Sequence, residues 1–194
     1  MSWNNITGWA AFRQTYERYV RDRAKNGDVV VEIGVFAGKS LAYLARLCLD
    51  QGLQVTIYGV DPWEPDDGDD GHVPQGCAAE VRAVGGPFQF FCHSMLQHAP
   101  QELESVRILR CSSLQARRLF DPASLAMVCI DGSHRYEDVL DDIRAWRTAV
   151  KPEGLLCGDD CQPGFPGVVR AVQESFGLNG FTLEGIQGDT WVAK

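Results

Sequence analysis

Short apolar runs alternate along this chain with longer segments of helical spacing. Residues 28–33, 55–60, 106–111 and 125–130 are runs rich in Val, Ile and Leu, bounded by turn residues. Such runs read as strands buried on both faces. A shorter run, Leu155-Leu156-Cys157-Gly158, reads as a fifth strand. Between them lie stripes at helical spacing. Trp9, Phe12, Tyr16, Tyr19 and Val20 predict a helix over 8–26, with Thr7 as its N-cap and Asn26-Gly27 as its stop. Leu41 to Cys48 predicts a helix from the glycine turn to about Gln51. Phe88, Phe91, Met95 and Ala99 fall on one face of one or two helices within 76–104. Val139, Ile143, Trp146 and Val150 form the stripe of another, ended by Lys151-Pro152-Glu153-Gly154. A last helix runs from Pro166 to Phe176, and 181–186 with 189–193 form an antiparallel pair around Gln187-Gly188. Strands alternating with helices predict βαβ units and a parallel sheet. The expectation is one α/β domain over 1–194, with an N-terminal helical segment at 1–27 and the sheet core at 28–194.

Charge and composition narrow the partners. The net charge of −8 argues against a nucleic-acid surface, which needs basic patches. No basic stripe and no apolar run near the ~20 residues of a membrane helix is present, so no membrane is expected. The N-terminus lacks the basic-then-apolar pattern of a signal peptide. The seven cysteines are odd in number and irregular in spacing. Cys111, Cys129 and Cys157 fall in predicted strands, where thiols act as small core residues. This usage predicts a reducing, cytoplasmic setting. Cys157 and Cys161 have no second pair at zinc spacing.

The chemistry concentrates at strand ends. Glu32-Ile33-Gly34-Val35-Phe36-Ala37-Gly38-Lys39-Ser40 joins the first strand to the first core helix. In open α/β sheets ligands bind at such carboxyl ends. A phosphate loop needs four residues between its glycines, and Gly34 to Gly38 leaves three; Val35-Phe36 breaks the dinucleotide pattern G-x-G-x-x-G. A structural glycine turn without a ligand is the plain alternative. Asp61 ends the second strand, where an acidic residue accepts from vicinal ribose hydroxyls in nucleotide-binding sheets; its plain alternative is a turn residue before Pro62. The acidic stretch from Glu64 to Gly71 fails the calcium-loop pattern at positions 3 and 12, Gly68 and Cys77, and reads as a solvated loop or a lid. His72, His93 and His98 have no recognisable partners. Ser112-Ser113 ends the third strand. Asp131 ends the fourth and Asp159-Asp160 the fifth. Neighbouring strands lie ~4.8 Å apart, so these carboxylates converge and repel unless one is protonated or a cation binds. Hard oxygen donors suit Mg²⁺. One Asp could simply cap the next helix; that leaves the others unexplained.

These motifs carry a resemblance. Glu32-x-Gly34-x-x-x-Gly38 matches the turn of S-adenosyl-L-methionine-dependent methyltransferases of the Rossmann-like class. Val60-Asp61-Pro62-Trp63, Asp131-Gly132-Ser133-His134-x-Tyr136, Lys151-Pro152-x-Gly154-Leu155 and Gly158-Asp159-Asp160 extend it over about 28–162. The combination resembles the Mg²⁺-dependent small-molecule O-methyltransferases, similar to the macrocin type and more distantly to catechol O-methyltransferase. The resemblance implies a Rossmann-like doubly wound sheet, mostly parallel with a C-terminal antiparallel hairpin strand, in the order 3-2-1-4-5-7-6. It implies cofactor contacts from Glu32, Gly34, Val35, Phe36, Gly38, Ser40, Asp61, Trp63 and Asp131, with Ser112 and Ser113 near the adenine. It implies a divalent cation on Asp131, Asp159 and Asp160. Catechol enzymes carry Asn where this chain has Asp160, and a catalytic Lys where it has His134. Imidazole, with an ordinary pKa of ~6.5, suits a general base at neutral pH; a structural hydrogen bond at a helix N-terminus is the other reading of His134. The expected reaction is methylation of a small-molecule hydroxyl on a sugar, polyketide or catechol-like acceptor. The acceptor pocket must come from the N-terminal helix, residues 64–104, or a partner subunit of a homo-oligomer. Alternatives are a metal-independent methyltransferase and a non-catalytic cofactor-binding or regulatory subunit. A dehydrogenase is disfavoured by the broken dinucleotide pattern.

Overall fold

The structure is a computed structural model that describes residues 2–10, 12–64, 76–185 and 188–194. The acidic loop after Glu64 and His72 lie outside the described residues, as does Gln187 of the terminal turn.

Seven strands form one sheet among the described residues: β1 (Val29–Ile33), β2 (Thr56–Val60), β3 (Val106–Leu109), β4 (Leu125–Ile130), β5 (Val150–Gly158), β6 (Phe181–Glu184) and β7 (Thr190–Ala193). Their order is β3-β2-β1-β4-β5-β7-β6, as the resemblance implied. The strands β1 to β5 pair in parallel, and β7 pairs antiparallel with both β5 and β6. The chain reverses its winding between β1 and β4, and the resulting crevice lies at their carboxyl ends.

Helices cover both faces, which is why the central strands are apolar on both sides. One apolar cluster joins Val30, Val35 and Ile57 to Phe12 and Tyr16 of α1 (Arg13–Asp22) and to Leu41 and Leu44 of α2 (Lys39–Asp50). It also holds Phe91 and Met95 of a later helix. The opposite cluster joins Val31, Ile33 and Val128 to a second group of helices. That group includes residues of α7 (Tyr136–Trp146) and α8 (Pro166–Phe176). Because side chains alternate along a strand, Glu32 belongs to the first face.

Several elements differ from the sequence reading, for local reasons. The N-terminal helix is shorter than 8–26, because Gly8 sits at φ +107°. Its start is Phe12 rather than Thr7, and Trp9 is 66% exposed instead of packed on the helical stripe. A single 3-10 turn, Trp3–Asn5, precedes it. Three helices occupy 76–104, not one or two: α3 (Ala78–Ala83), α4 (Pro87–His98) and α5 (Pro100–Glu104). Gly85 and Gly86, both at positive φ, end the first, and Pro87 and Pro100 start the next two. The helix α7 ends at Trp146, and Val150 belongs to β5. There Leu125 pairs with Val150 but Met127 pairs with Leu155, so the segment around Pro152 bulges out of register. Gly154 closes the bulge: a Cβ there would meet Val150 Cγ1 at 2.5 Å.

All seven cysteines are free thiols. Cys129 and Cys157 face each other across β4 and β5 with their sulfurs 3.3 Å apart. Among the described residues no helix is long and apolar enough to cross a membrane.

Candidate active site

The turn after β1 is built by close backbone approach. Gly34 sits at φ +82°, and a Cβ on it would lie 1.7 Å from the carbonyl oxygen of Asp131. The amide of Asp131 donates to the carbonyl of Ile33 at 2.8 Å, so the tips of β1 and β4 touch. Gly38, at φ +89°, opens α2, and a Cβ there would lie 2.7 Å from Met95 Sδ. Phe36 and Trp63 both have φ +47°, a strained conformation for residues with bulky side chains, and Asp160 has φ +60°. Three strained residues at the tips of the strands mark this end of the sheet as specialised.

Asp61 ties two tips together. Its Oδ2 accepts from the amides of Val35 and Phe36 at 2.9 and 3.0 Å, and its Oδ1 accepts from the amide of Trp63 at 2.6 Å. The Trp63 indole donates to the carbonyl of Phe36 at 2.8 Å and packs against Phe88 and Phe91. A ribose would have to share the Asp61 oxygens with these amides. The turn therefore preorganises itself around the carboxylate.

Glu32 is 1% exposed and lies beneath this turn. Its Oε2 accepts from the hydroxyls of Tyr16, at 2.6 Å, and Ser40, at 3.3 Å. Its Oε1 is buried with no hydrogen-bond partner among the described residues. Burial pushes the carboxyl up to about 7, against the pull of the two hydroxyls. Tyr16 was read in the sequence only as a member of the apolar stripe; its hydroxyl gave no separate signal there.

The acidic cluster assembles as the strand order requires. Ile130 pairs with Gly158, which brings Asp131 beside Asp159 and Asp160. Burial, then Asp159, Asp160, Glu32 and Asp189, hold the Asp131 carboxyl well above its ordinary range. Burial, Asp160 and Asp189 raise Asp159 to about 6, although Thr190 Oγ1 donates to its Oδ1 at 3.2 Å. Asp189 is a fourth carboxylate that the sequence did not single out, because it stands on the far hairpin. The Nε2 of His134 lies 2.9 Å from Asp160 Oδ2. Asp131, His134 and Asp160 each offer one donor atom, all within 4.8 Å of one another. A cavity of about 10 Å³, room for about one water or one ion, is lined by these three together with Asp159, Ser133 and Trp191. The converging carboxylates of Asp131, Asp159 and Asp160, which repel one another, fit a divalent cation.

His134 is held from a further side. The Phe165 ring lies 4.3 Å from the imidazole, centroid to centroid. Gly167 lets α8 approach, since a Cβ there would sit 2.4 Å from the His134 carbonyl oxygen. The two serines after β3 have internal roles. Ser112 caps the short helix α6 (Ser113–Arg117) in a capping box with Gln115. The hydroxyl of Ser113 donates to Asp142 and accepts from the Trp146 indole at 2.8 Å.

A family model described as a methyltransferase domain matches residues 31–161. That span runs from the middle of β1 through the turn, Asp61, Asp131 and the Asp159-Asp160 pair. The chain belongs to this methyltransferase family. Among curated proteins none matches the sequence. Solved structures share the fold of this methyltransferase. One is CalS11, a TDP-rhamnose 3′-O-methyltransferase of calicheamicin biosynthesis, 21% identical with a TM-score of 0.60, over 94% of this chain and 76% of that one. The O-methyltransferase NovP is 18% identical with a TM-score of 0.57, over 94% and 77%. TomG from Streptomyces achromogenes, an O-methyltransferase of tomaymycin synthesis solved with S-adenosylmethionine, is 16% identical with a TM-score of 0.59, over 93% and 76%.

Proposed function

We propose that this methyltransferase methylates a hydroxyl of a small molecule, using S-adenosylmethionine and a divalent cation such as Mg²⁺ held by Asp131, Asp159 and Asp160. The observation that carries the reading is the convergence of those carboxylates with His134, at the strand tip that Gly34 packs against. The cofactor would supply the electrophilic methyl group, and the cation would lower the pKa of the acceptor hydroxyl. The protein's own residues do the rest. The Gly34–Gly38 turn and Asp61 orient the nucleoside, and Glu32 and Ser40 lie under the amino-acid arm. The Nε2 of His134 lies against Asp160 Oδ2, which orients the imidazole. His134 then takes the hydroxyl proton, and Asp160 beside it stabilises the imidazolium that forms. Holding acceptor and donor in line supplies much of the rate.

The solved structures whose titles name O-methyltransferases, one of them acting on a nucleotide sugar, support a hydroxyl acceptor. The net charge of −8 and the seven free thiols support a small-molecule acceptor and a reducing, cytoplasmic setting. The direct contact of His134 with Asp160 favours one other reading, a metal-independent methyltransferase in which this pair alone acts as the base.

A transfer assay separates the two. Labelled S-adenosylmethionine is supplied with a panel of nucleotide sugars and catechols, in Mg²⁺ and in EDTA. The metal-assisted reading predicts transfer to a member of the panel that falls at least about 100-fold in EDTA and in Asp131→Asn, a loss on the scale of removing one strong electrostatic stabiliser. Undiminished transfer in EDTA would establish the metal-independent reading instead.

A further inference from the structure

The buried pair formed by Tyr16 and Glu32 is unusual in what it leaves undone. A buried carboxyl normally has partners on both oxygens, because an unsatisfied buried acceptor is destabilising. Glu32 has two hydroxyl donors on Oε2 and none on Oε1 among the described residues. Among the described residues the groups that act on it are the Tyr16 and Ser40 hydroxyls, and neither is a cation. Both donors converge on one oxygen, Tyr16 from α1 and Ser40 from the first turn of α2. The other oxygen is thus left for a donor that the described residues do not provide. The amino-acid arm of S-adenosylmethionine carries an ammonium group, which supplies both the hydrogen bonds and the charge.

We propose that Tyr16 is a positioning residue for the cofactor: it pins Oε2 of Glu32 so that Oε1 is presented to the cofactor's ammonium group. The assignment rests on S-adenosylmethionine being the ligand of the turn. Tyr16 lies outside the segment 31–161 that the family model matches, so this role belongs to the N-terminal helix and not to the shared core. It also gives α1 a function: the helix docks through Phe12, Tyr16 and Tyr19, and only the hydroxyl of Tyr16 reaches the site, while that of Tyr19 donates to Asp28 at 3.0 Å.

The test compares two ligands that differ in the arm alone. S-adenosylhomocysteine carries the ammonium, and 5′-methylthioadenosine lacks the whole amino-acid arm. Both are titrated calorimetrically into wild type, Tyr16→Phe, Tyr19→Phe and Glu32→Gln, with thermal melts to show that each variant is folded. Tyr16→Phe should weaken S-adenosylhomocysteine by about tenfold, ~1.4 kcal/mol, and leave 5′-methylthioadenosine within twofold. Glu32→Gln should do the same to a greater degree, so a failure of Tyr16→Phe to fold leaves the carboxylate half of the proposal measurable. Tyr19→Phe, on the same helix, should change neither ligand. Equal loss of both ligands in Tyr16→Phe would reduce Tyr16 to packing and overturn the proposal, as would wild-type affinity for S-adenosylhomocysteine. Wild type binding neither ligand would overturn the cofactor reading itself and the proposal with it.

Discussion

Gly34 is where residue chemistry and function meet most closely. Its positive φ and the 1.7 Å that would separate a Cβ from the Asp131 carbonyl leave no room for any side chain. A methyl group there must push the tips of β1 and β4 apart, and those tips carry the glycine turn and the first Asp of the acidic cluster. Gly34→Ala should therefore lower stability by ~2 kcal/mol or more, since overpacking and backbone strain act together. It should also weaken S-adenosylmethionine binding more than its effect on melting alone would explain. Thermal melting and calorimetric titration of the variant check both; a wild-type melting point would show that the tips are looser than this geometry requires. Asp61 was legible in the sequence as a strand-end acid, but not its bonds to the amides of Val35 and Phe36, because a backbone donor leaves no trace in residue types. The metal-type cluster was legible as Asp131 with Asp159-Asp160. The contacts of His134 with Asp160 and with Phe165 join residues distant in the sequence, and no spacing announces them.

At the scale of elements, the alternation of apolar runs and helical stripes located every strand, since buried parallel strands have few other ways to read. Errors gathered where a single residue overrides periodicity. Trp9 keeps the spacing of the stripe that runs to Val20, yet Gly8 at φ +107° turns the chain just before it, and Trp9 is exposed. Val150 keeps the spacing of the α7 stripe, yet it opens β5, because the bulge at Pro152 lets the strand start five residues earlier than its apolar run suggests. The strand, glycine turn and helix from β1 into α2 were legible because their constraint is local: two glycines at positive φ, a strand before and a helix after.

For the whole molecule, the strand order concentrates negative charge at one end of the sheet, and this has a consequence for stability. Folding raises Glu32 to about 7, Asp142 to about 6 and Asp159 to about 6, each chiefly through burial. For a carboxyl whose folded pKa lies above its unfolded value, the folded state binds more protons in the interval between the two. Stability is then full at low pH and declines as pH rises through that interval. The metal-free protein should therefore lose melting temperature between about pH 4 and pH 7. A divalent cation should restore part of the loss near pH 7, where it offsets the repulsion among the converging carboxylates of the acidic cluster. Melting curves across this range in EDTA and in Mg²⁺ measure both effects; a melting temperature that rises toward pH 7 in EDTA would mean that these carboxyls are better solvated than their burial indicates.

The account stands most directly on one titration, that of S-adenosylmethionine into the wild-type protein, first in EDTA and then in Mg²⁺. It predicts micromolar binding in both buffers, about −8 kcal/mol, because the turn, Glu32 and Asp61 are formed without the cation. Absence of binding in both would contradict the central claim, leaving Gly34 and Gly38 as structural glycines and the acidic cluster without the methyl donor it is proposed to serve.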